Sequence, residues 1–321
     1  MKTAISYGSV QEDLALVETA LDSLRGVDFA PMAEMMSLAL GGGGKRLRPA
    51  LALLAGKFGQ YDIELLVPLA ASIELLHTAT LVHDDVIDNA ATRRGRPTVN
   101  SVFRNTTTIM LGDYMFAHAA DFVARTGNIR VIRLFAQTLK AITWGEIGQD
   151  MAAFDSRQTV DHYLQRISGK TASLFAAACE GGAAVTGAAE DRVQALREYG
   201  HNLGMAFQIV DDILDFMGDE DEMGKPVGSD LMQGTLTLPS LLLMNRYPQD
   251  NPIGKLFGQR RRQEHLGQAV EMIRGSDIPQ ESYGMAASFG QRAEEALASL
   301  PPNEARHTLR DTVHYVLGRR S

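Results

Sequence analysis

The stretch from Glu64 to Asp88, ELLVPLAASIELLHTATLVHDDVID, decides the fold. Its apolar residues recur at three- and four-residue spacing, the period of a helix with a buried face. It ends in Asp84-Asp85-Val86-Ile87-Asp88. The same design returns in GMAFQIVDDILDF, which carries Asp211-Asp212-Ile213-Leu214-Asp215. In each cluster the first and last aspartates lie four apart and share a helix face. Like charges at that spacing destabilise a helix by about 0.2–0.5 kcal/mol. Carboxylates placed directly after apolar runs cost more unless a partner compensates them. An arrangement this unfavourable, made twice, calls for a shared compensating charge. Oxygen-only donors on two facing helices suit Mg2+, which takes a few carboxylates, water and substrate phosphates. No Glu-x-x-His pair accompanies the clusters, which argues against a di-iron carboxylate bundle. Solvated helix ends are the bland alternative, and repetition on two apolar helices weakens it.

The rest of the chain extends the helical pattern. Prolines fall at 31, 49, 68 and 97, and none follows until Pro226. Proline breaks helix interiors, so that long gap is open to helices. Segments 12–24, 64–88, 108–125, 129–153, 159–179 and 191–217 all read as helices, and alternating strand patterns are hard to find. The fold class is all-α. Turn residues such as Thr126-Gly127-Asn128, Gly181-Gly182 and Gly187 mark short gaps. No long linker or internal repeat divides residues 1–321, so a single domain is expected. The stretch 218–235, GDEDEMGKPVGSDLMQGT, reads as a mobile loop, and a polar, arginine-rich segment lies near 257–264.

With 321 residues, 45% hydrophobic and 22% charged, the composition is that of a soluble globular enzyme. A net charge of −8 argues against nucleic-acid partners and leaves anionic ligands to local basic clusters. The one cysteine, Cys179, excludes an internal disulfide framework and reads as a buried structural thiol. No signal-like segment or uninterrupted membrane-length apolar run is present, so a cytoplasmic location is expected. Trp144, the only tryptophan, is expected in the core.

A metal-bound diphosphate still carries negative charge, so cationic donors are expected near the aspartates. Each basic cluster alone reads as surface, and together with the aspartates they read as a site. Gly41-Gly42-Gly43-Gly44-Lys45-Arg46-Leu47-Arg48 joins a flexible turn to three cations. Arg93-Arg94 follow the first aspartate cluster, and their planar heads suit phosphate. Gly169-Lys170-Thr171 lies within a helix, and Lys225 follows the second cluster. Neither glycine–lysine segment is a nucleotide P-loop: position 164 is Leu, and Lys45 is followed by Arg46.

Five ordered motifs, GGGGKRLRP, LLHTATLVHDDVIDNAATRRGRPT, SGKTA, GMAFQIVDDILD and GKPVGSDLMQGTLTLP, resemble those of trans-isoprenyl diphosphate synthases. The resemblance runs from about residue 10 to the C-terminus. It looks closest to the medium- and long-chain members, the heptaprenyl to decaprenyl diphosphate synthases. It implies a helical bundle of the isoprenoid synthase type around a central hydrophobic cavity. It also implies Mg2+-dependent elongation of an allylic diphosphate by isopentenyl diphosphate, with three ions per active site.

By that resemblance Asp84 and Asp88, assisted by Asp85, bind Mg2+ on one side of the allylic diphosphate. Asp211, with Asp212 and Asp215 in its shell, binds from the other. Arg93 and Lys225 hold the allylic diphosphate, as does Lys170. Lys45, Arg48, His77 and Arg94 hold isopentenyl diphosphate. Lys170, Thr171 and Gln208 surround the reacting carbons and the leaving group. Gln149 lies on the helix that would face the allylic site and is given a supporting role. Thr235 stands where many members carry a second loop lysine.

The order of events implied is ionisation, condensation and loss of a proton. In this family the residues one turn before the first cluster floor the product tunnel. Here they are Ala79 and Thr80, both small. Leu76 and Ile73 lie one and two turns deeper, at about 5.4 Å per turn, which points by resemblance to about seven to ten isoprene units.

A short-chain farnesyl or geranylgeranyl diphosphate synthase shares every catalytic motif. A terpene cyclase would not need the Lys45–Arg48 cluster. A catalytically weak partner subunit of a heteromeric synthase usually has degraded aspartate motifs, and these are intact. A non-catalytic helical scaffold is the remaining alternative. The family implies a homodimer; release of a greasy product without a membrane segment separately raises at most transient membrane contact.

Overall fold

The computed structural model describes residues 7–42, 44–93, 95–218, 226–258 and 262–319. The elements that carry the argument are α1 (Gln11–Asp22), α2 (Ala30–Leu40), α3 (Leu47–Gly56) and α4 (Ile63–Ile87). They continue with α5 (Val99–Val102), α6 (Asn105–Arg125), α7 (Ile129–Met151), α8 (Val160–Ile167), α9 (Ser173–Val185) and α10 (Glu190–Met217). Further helices follow, ending with Ile278–Leu297 and Glu304–Leu317. The only sheet among the described residues pairs β1 (Thr92–Arg93) with β2 (Arg96–Pro97), antiparallel. The all-α expectation holds.

Two compact units divide the chain. The first comprises Met1–Leu139, Leu174–Gly200 and Glu294–Thr312; the second comprises Lys140–Ser173, His201–Ala293 and Val313–Ser321.

In the first unit α4 is the core helix, packed against α1, α3 and α6. Leu66, Leu69, Ile73, Leu75 and Leu76 are buried on it. Burying each such side chain contributes about 1.5–3 kcal/mol. By length and composition α4 could cross a membrane, yet most of its apolar window is buried within the protein. Its contact with α6 is close. A Cβ added at Gly112 would lie 2.1 Å from His83 Nε2, and His83 Nε2 sits 2.9 Å from the Ile109 carbonyl. Ser72 Oγ donates to the Ala119 carbonyl at 2.8 Å, fixing the register of the pair.

Gly181 and Gly182 are not a turn. Both lie inside α9 and are buried. A Cβ at Gly182 would stand 2.1 Å from the Ala52 carbonyl, so this glycine admits the backbone of α3. Close helix approach and chain reversal both select glycine, and the pattern alone does not distinguish them. Gly127 and Gly187, with φ of +60° and +67°, do end their helices.

The expected helix 159–179 is continuous but changes its winding part-way. Thr159 caps α8 by accepting from the His162 amide at 3.3 Å. A π turn over Ser168–Ala172 then intervenes before α9. A Cβ on Gly145 would lie 3.1 Å from the Lys170 amide, and one on Gly169 would lie 3.1 Å from the Ala141 carbonyl. Small residues on both sides let α7 and the π turn approach, and the turn carries Lys170 and Thr171. π turns of this kind are frequent at functional sites.

Candidate active site

The first aspartate cluster closes α4. Its C-terminal position faces the negative end of the helix dipole, which adds to the cost of grouped carboxylates. Asp84 is half-buried and Asp88 is exposed, whereas Asp85 is buried. Burial pushes the Asp85 carboxyl up, and the Arg93 guanidinium opposes that shift. Arg93 Nε donates to Asp85 Oδ1 at 2.7 Å. Arg93 is carried by β1, so the short hairpin after α4 swings this cation back over the cluster. Arg94 lies outside the described residues.

The glycine-rich turn separates its three cations by role. Arg46, at φ +46°, donates through Nη1 to the buried Glu74 at 2.7 Å and through Nε and Nη2 to Glu18. It is an anchor of the turn. Lys45 remains exposed, and the Arg48 guanidinium lies 4.6 Å from the Phe175 ring centroid. Arg96 Nη1 donates to the Gly41 carbonyl and so ties the hairpin to this turn. His77 is half-buried on α4.

The second cluster lies within α10, on a polar network in the second unit. Thr171 Oγ1 donates to Gln208 Oε1 at 2.7 Å, and Gln208 Nε2 donates to Asp212 Oδ1 at 2.8 Å. Tyr163 OH donates to Asp212 Oδ2 at 2.6 Å. Both oxygens of Asp212 are therefore held by neutral donors. Burial, with Asp230 adding to it, pushes the Asp212 carboxyl up to about 7, against the pull of those hydrogen bonds. Asp215 is also buried, with Oδ1 accepting from Ser229 Oγ at 3.0 Å. Asp211 is the exposed member. Lys225 lies outside the described residues, as does all of 219–225 in the expected loop. Residues 229–232 of that loop form a short helix.

The Lys170 ammonium, on the π turn, pairs with Glu146 at 2.7 Å. Gln149, half-buried, follows on the same helix. Arg166 donates to the Leu236 carbonyl at 2.6 Å, and burial lowers its pKa. Of the residues expected at the tunnel floor, Ile73, Leu76 and Ala79 are buried, and Thr80 Oγ1 donates to the His77 carbonyl at 2.7 Å.

Hard oxygen donors with room for water and phosphate are what Mg2+ requires. In the first unit the partly exposed Asp84 and the exposed Asp88 meet that description, with Asp85 buried against Arg93. In the second unit Asp211 does, with Asp212 and Asp215 buried. Among the described residues no group of three or more His, Cys, Asp or Glu side chains is arranged to hold a metal ion by itself. Each cluster by itself offers a few exposed oxygens, which suits a cation that takes the rest of its shell from water and phosphate.

A family model described as Polyprenyl synthetase matches residues 30–273. The chain belongs to the polyprenyl synthetase family. It is a prenyltransferase, a trans-polyprenyl diphosphate synthase that works by chain elongation. This family depends on Mg2+. Heptaprenyl diphosphate synthase component 2 of Geobacillus stearothermophilus is 41% identical over 316 residues, 98% of each chain. The crystal structure of a decaprenyl diphosphate synthase from Rhodobacter capsulatus is 37% identical at a TM-score of 0.89, covering 98% of each chain. A polyprenyl synthase from Caulobacter crescentus, solved with calcium and isoprenyl diphosphate, is 32% identical. Its TM-score is 0.93 over the full length of both chains.

Three residues of this synthase escaped the sequence reading. Tyr163, Glu146 and Arg319 touch Asp212, Lys170 and Asp211 respectively. Each is a single side chain outside any repeated pattern. Trp144 requires a correction, because it is 81% exposed. With Ile147 and Met151, also exposed, it lies at i, i+3 and i+7 on α7, so the helix carries an apolar stripe away from its own unit's core. Cys179 is buried, and burial pushes its thiol up.

Proposed function

We propose that this synthase makes a heptaprenyl to decaprenyl all-trans diphosphate from an allylic primer and isopentenyl diphosphate. Mg2+ bound with diphosphate would neutralise charge on the leaving group. Asp84, Asp88 and Asp211 supply its protein oxygens. Asp85, Asp212 and Asp215 orient the clusters, and three ions per site remain the expectation. Arg93, Lys170 and Lys225 grip the allylic diphosphate; Lys45, Arg48, His77 and Arg94 grip isopentenyl diphosphate. Thr171 and Gln208 flank the reacting carbons. Ala79 and Thr80, backed by Leu76 and Ile73, set the floor. One catalytic domain spanning 1–321 is proposed to carry all of these.

The carrying observation is the network Thr171–Gln208–Asp212–Tyr163. It links the SGKTA and second aspartate motifs in one buried set of hydrogen bonds. As a test, farnesyl diphosphate should release diphosphate only when Mg2+ and isopentenyl diphosphate are both present. Release without isopentenyl diphosphate would indicate cyclase chemistry and reject the elongation reading.

A homodimer is supported by the Trp144–Ile147–Met151 stripe, which suits a self-complementary contact. A heteromeric assembly is the second reading, favoured by the component 2 designation of the Geobacillus relative. Light scattering on the purified chain separates them: a dimer that Trp144→Glu dissociates supports the first, and an inactive monomer supports the second. Cytoplasmic location with transient membrane contact completes the proposal. Unchanged turnover on adding anionic vesicles would count against that contact.

A further inference from the structure

Arg319, just beyond the helix Glu304–Leu317, is held at three points within the second unit. Its Nη2 donates to Asp211 Oδ1 at 2.9 Å. Its guanidinium lies 4.5 Å from the Phe207 ring centroid, and its carbonyl accepts from Tyr283 OH at 3.5 Å. The side chain is 11% exposed, against 48% for Asp211. Its Nε and Nη1 are buried with no hydrogen-bond partner among the described residues. An isolated surface ion pair needs neither that burial nor that platform. Buried guanidinium donors lacking acceptors are costly, so the seat suits a cation whose remaining acceptors arrive with a ligand.

We propose that Arg319 is the resting counter-ion of Asp211. It yields that carboxylate to a divalent cation and turns its donors to the oxygens of an incoming diphosphate. The inference rests on reading the second aspartate cluster as metal-binding. Its chemistry follows from competition: a guanidinium and a divalent cation seek the same carboxylate oxygen, and the planar fork also matches phosphate. Phe207 lies one turn before Asp211 on α10, so the aromatic face can keep the guanidinium seated while its hydrogen-bond partners change. A cation that leaves the metal ligand but stays near the leaving group would oppose metal binding and favour diphosphate binding. A merely structural arginine would not act with opposite sign on the two ligands.

The test uses the full-length protein without prenyl substrates, with Mn2+ binding followed by electron paramagnetic resonance. Arg319→Gln should bind Mn2+ about five-fold more tightly than the parent. It should bind inorganic diphosphate, added with Mn2+, more weakly. Phe207→Leu, which keeps the charge and removes the platform, should move both in the same directions by less. The gain in Mn2+ affinity should vanish when Asp211→Asn is added. Unchanged or weaker Mn2+ binding in Arg319→Gln, while Asp211→Asn alone loses a Mn2+ site, overturns the counter-ion role and leaves the metal reading standing. If Asp211→Asn loses no Mn2+ site, the metal reading of this cluster fails, and the inference falls with it.

Discussion

The two DDxxD clusters have the same letters and different surroundings. In the first, which ends α4, Asp84 is half-buried and Asp88 exposed, with Asp85 behind them against Arg93. In the second, inside α10, only Asp211 is exposed; Asp212 and Asp215 are buried beneath Tyr163, Gln208 and Ser229. Helical spacing puts the first and last aspartates of each cluster on one face, but what covers that face differs. The chain leaves α4 at Asp88 and uncovers it. After α10 it returns, with the Gly228 amide donating to the Asp215 carbonyl at 2.9 Å, and covers its last aspartate. Identical motifs therefore present two outward carboxylates in one unit and one in the other. The counter-charges differ likewise: an arginine from the adjacent hairpin at the first, and Arg319 from the far end of the chain at the second.

The largest effects should follow that division. Asp84→Ala, Asp88→Ala and Asp211→Ala should each lower the rate of isopentenyl incorporation about 10³-fold, the scale of losing transition-state charge stabilisation. Asp85→Asn and Asp212→Asn should lose only about 10-fold, the scale for residues that orient ligands. Equal losses across all five in a radiolabel incorporation assay would erase the distinction between outward and buried carboxylates.

Next in size is Tyr163→Phe. It leaves one oxygen of the buried Asp212 without its donor, at a cost of about 1–3 kcal/mol in urea unfolding. No change in stability would remove Tyr163 from the network.

A smaller difference should appear with pH. Asp212 sits near 7 when folded, well above the ordinary carboxyl range. Between those values the folded state keeps a proton that the unfolded state has released. Its contribution to stability is therefore present at about pH 4 and is lost as pH rises towards 7. Urea midpoints of metal-free protein should fall across that window for this reason, and Asp212→Asn should flatten the fall. Parallel pH profiles for parent and variant would contradict the shift.

The helices and both clusters were legible because they are written in local spacing: apolar period, aspartate pairs and proline positions. The ends of α4, α7 and α10 fell within a few residues of expectation. What was not legible depends on partners distant in sequence. Arg46 and Arg48 look alike in GGGGKRLR, yet Arg46 is consumed by Glu18 and Glu74. Gly181-Gly182 reads as a turn until Ala52 is seen against it. Trp144 has core chemistry on an outward helix face. Arg319 lies over a hundred positions from Asp211, without a motif to connect them. The π turn at SGKTA depends on the glycines of two crossing segments, a condition that no single window contains.

Product length is the most direct test of long-chain elongation. Purified protein with labelled isopentenyl diphosphate, farnesyl diphosphate and Mg2+ should yield, by mass spectrometry, a narrow band between heptaprenyl and decaprenyl diphosphate. Ala79→Phe, a ring introduced one turn before the first cluster, should shift that band to shorter products. Parent products that stop at geranylgeranyl diphosphate, or a band that Ala79→Phe leaves unmoved, would contradict the proposal of an open floor at Ala79 and Thr80.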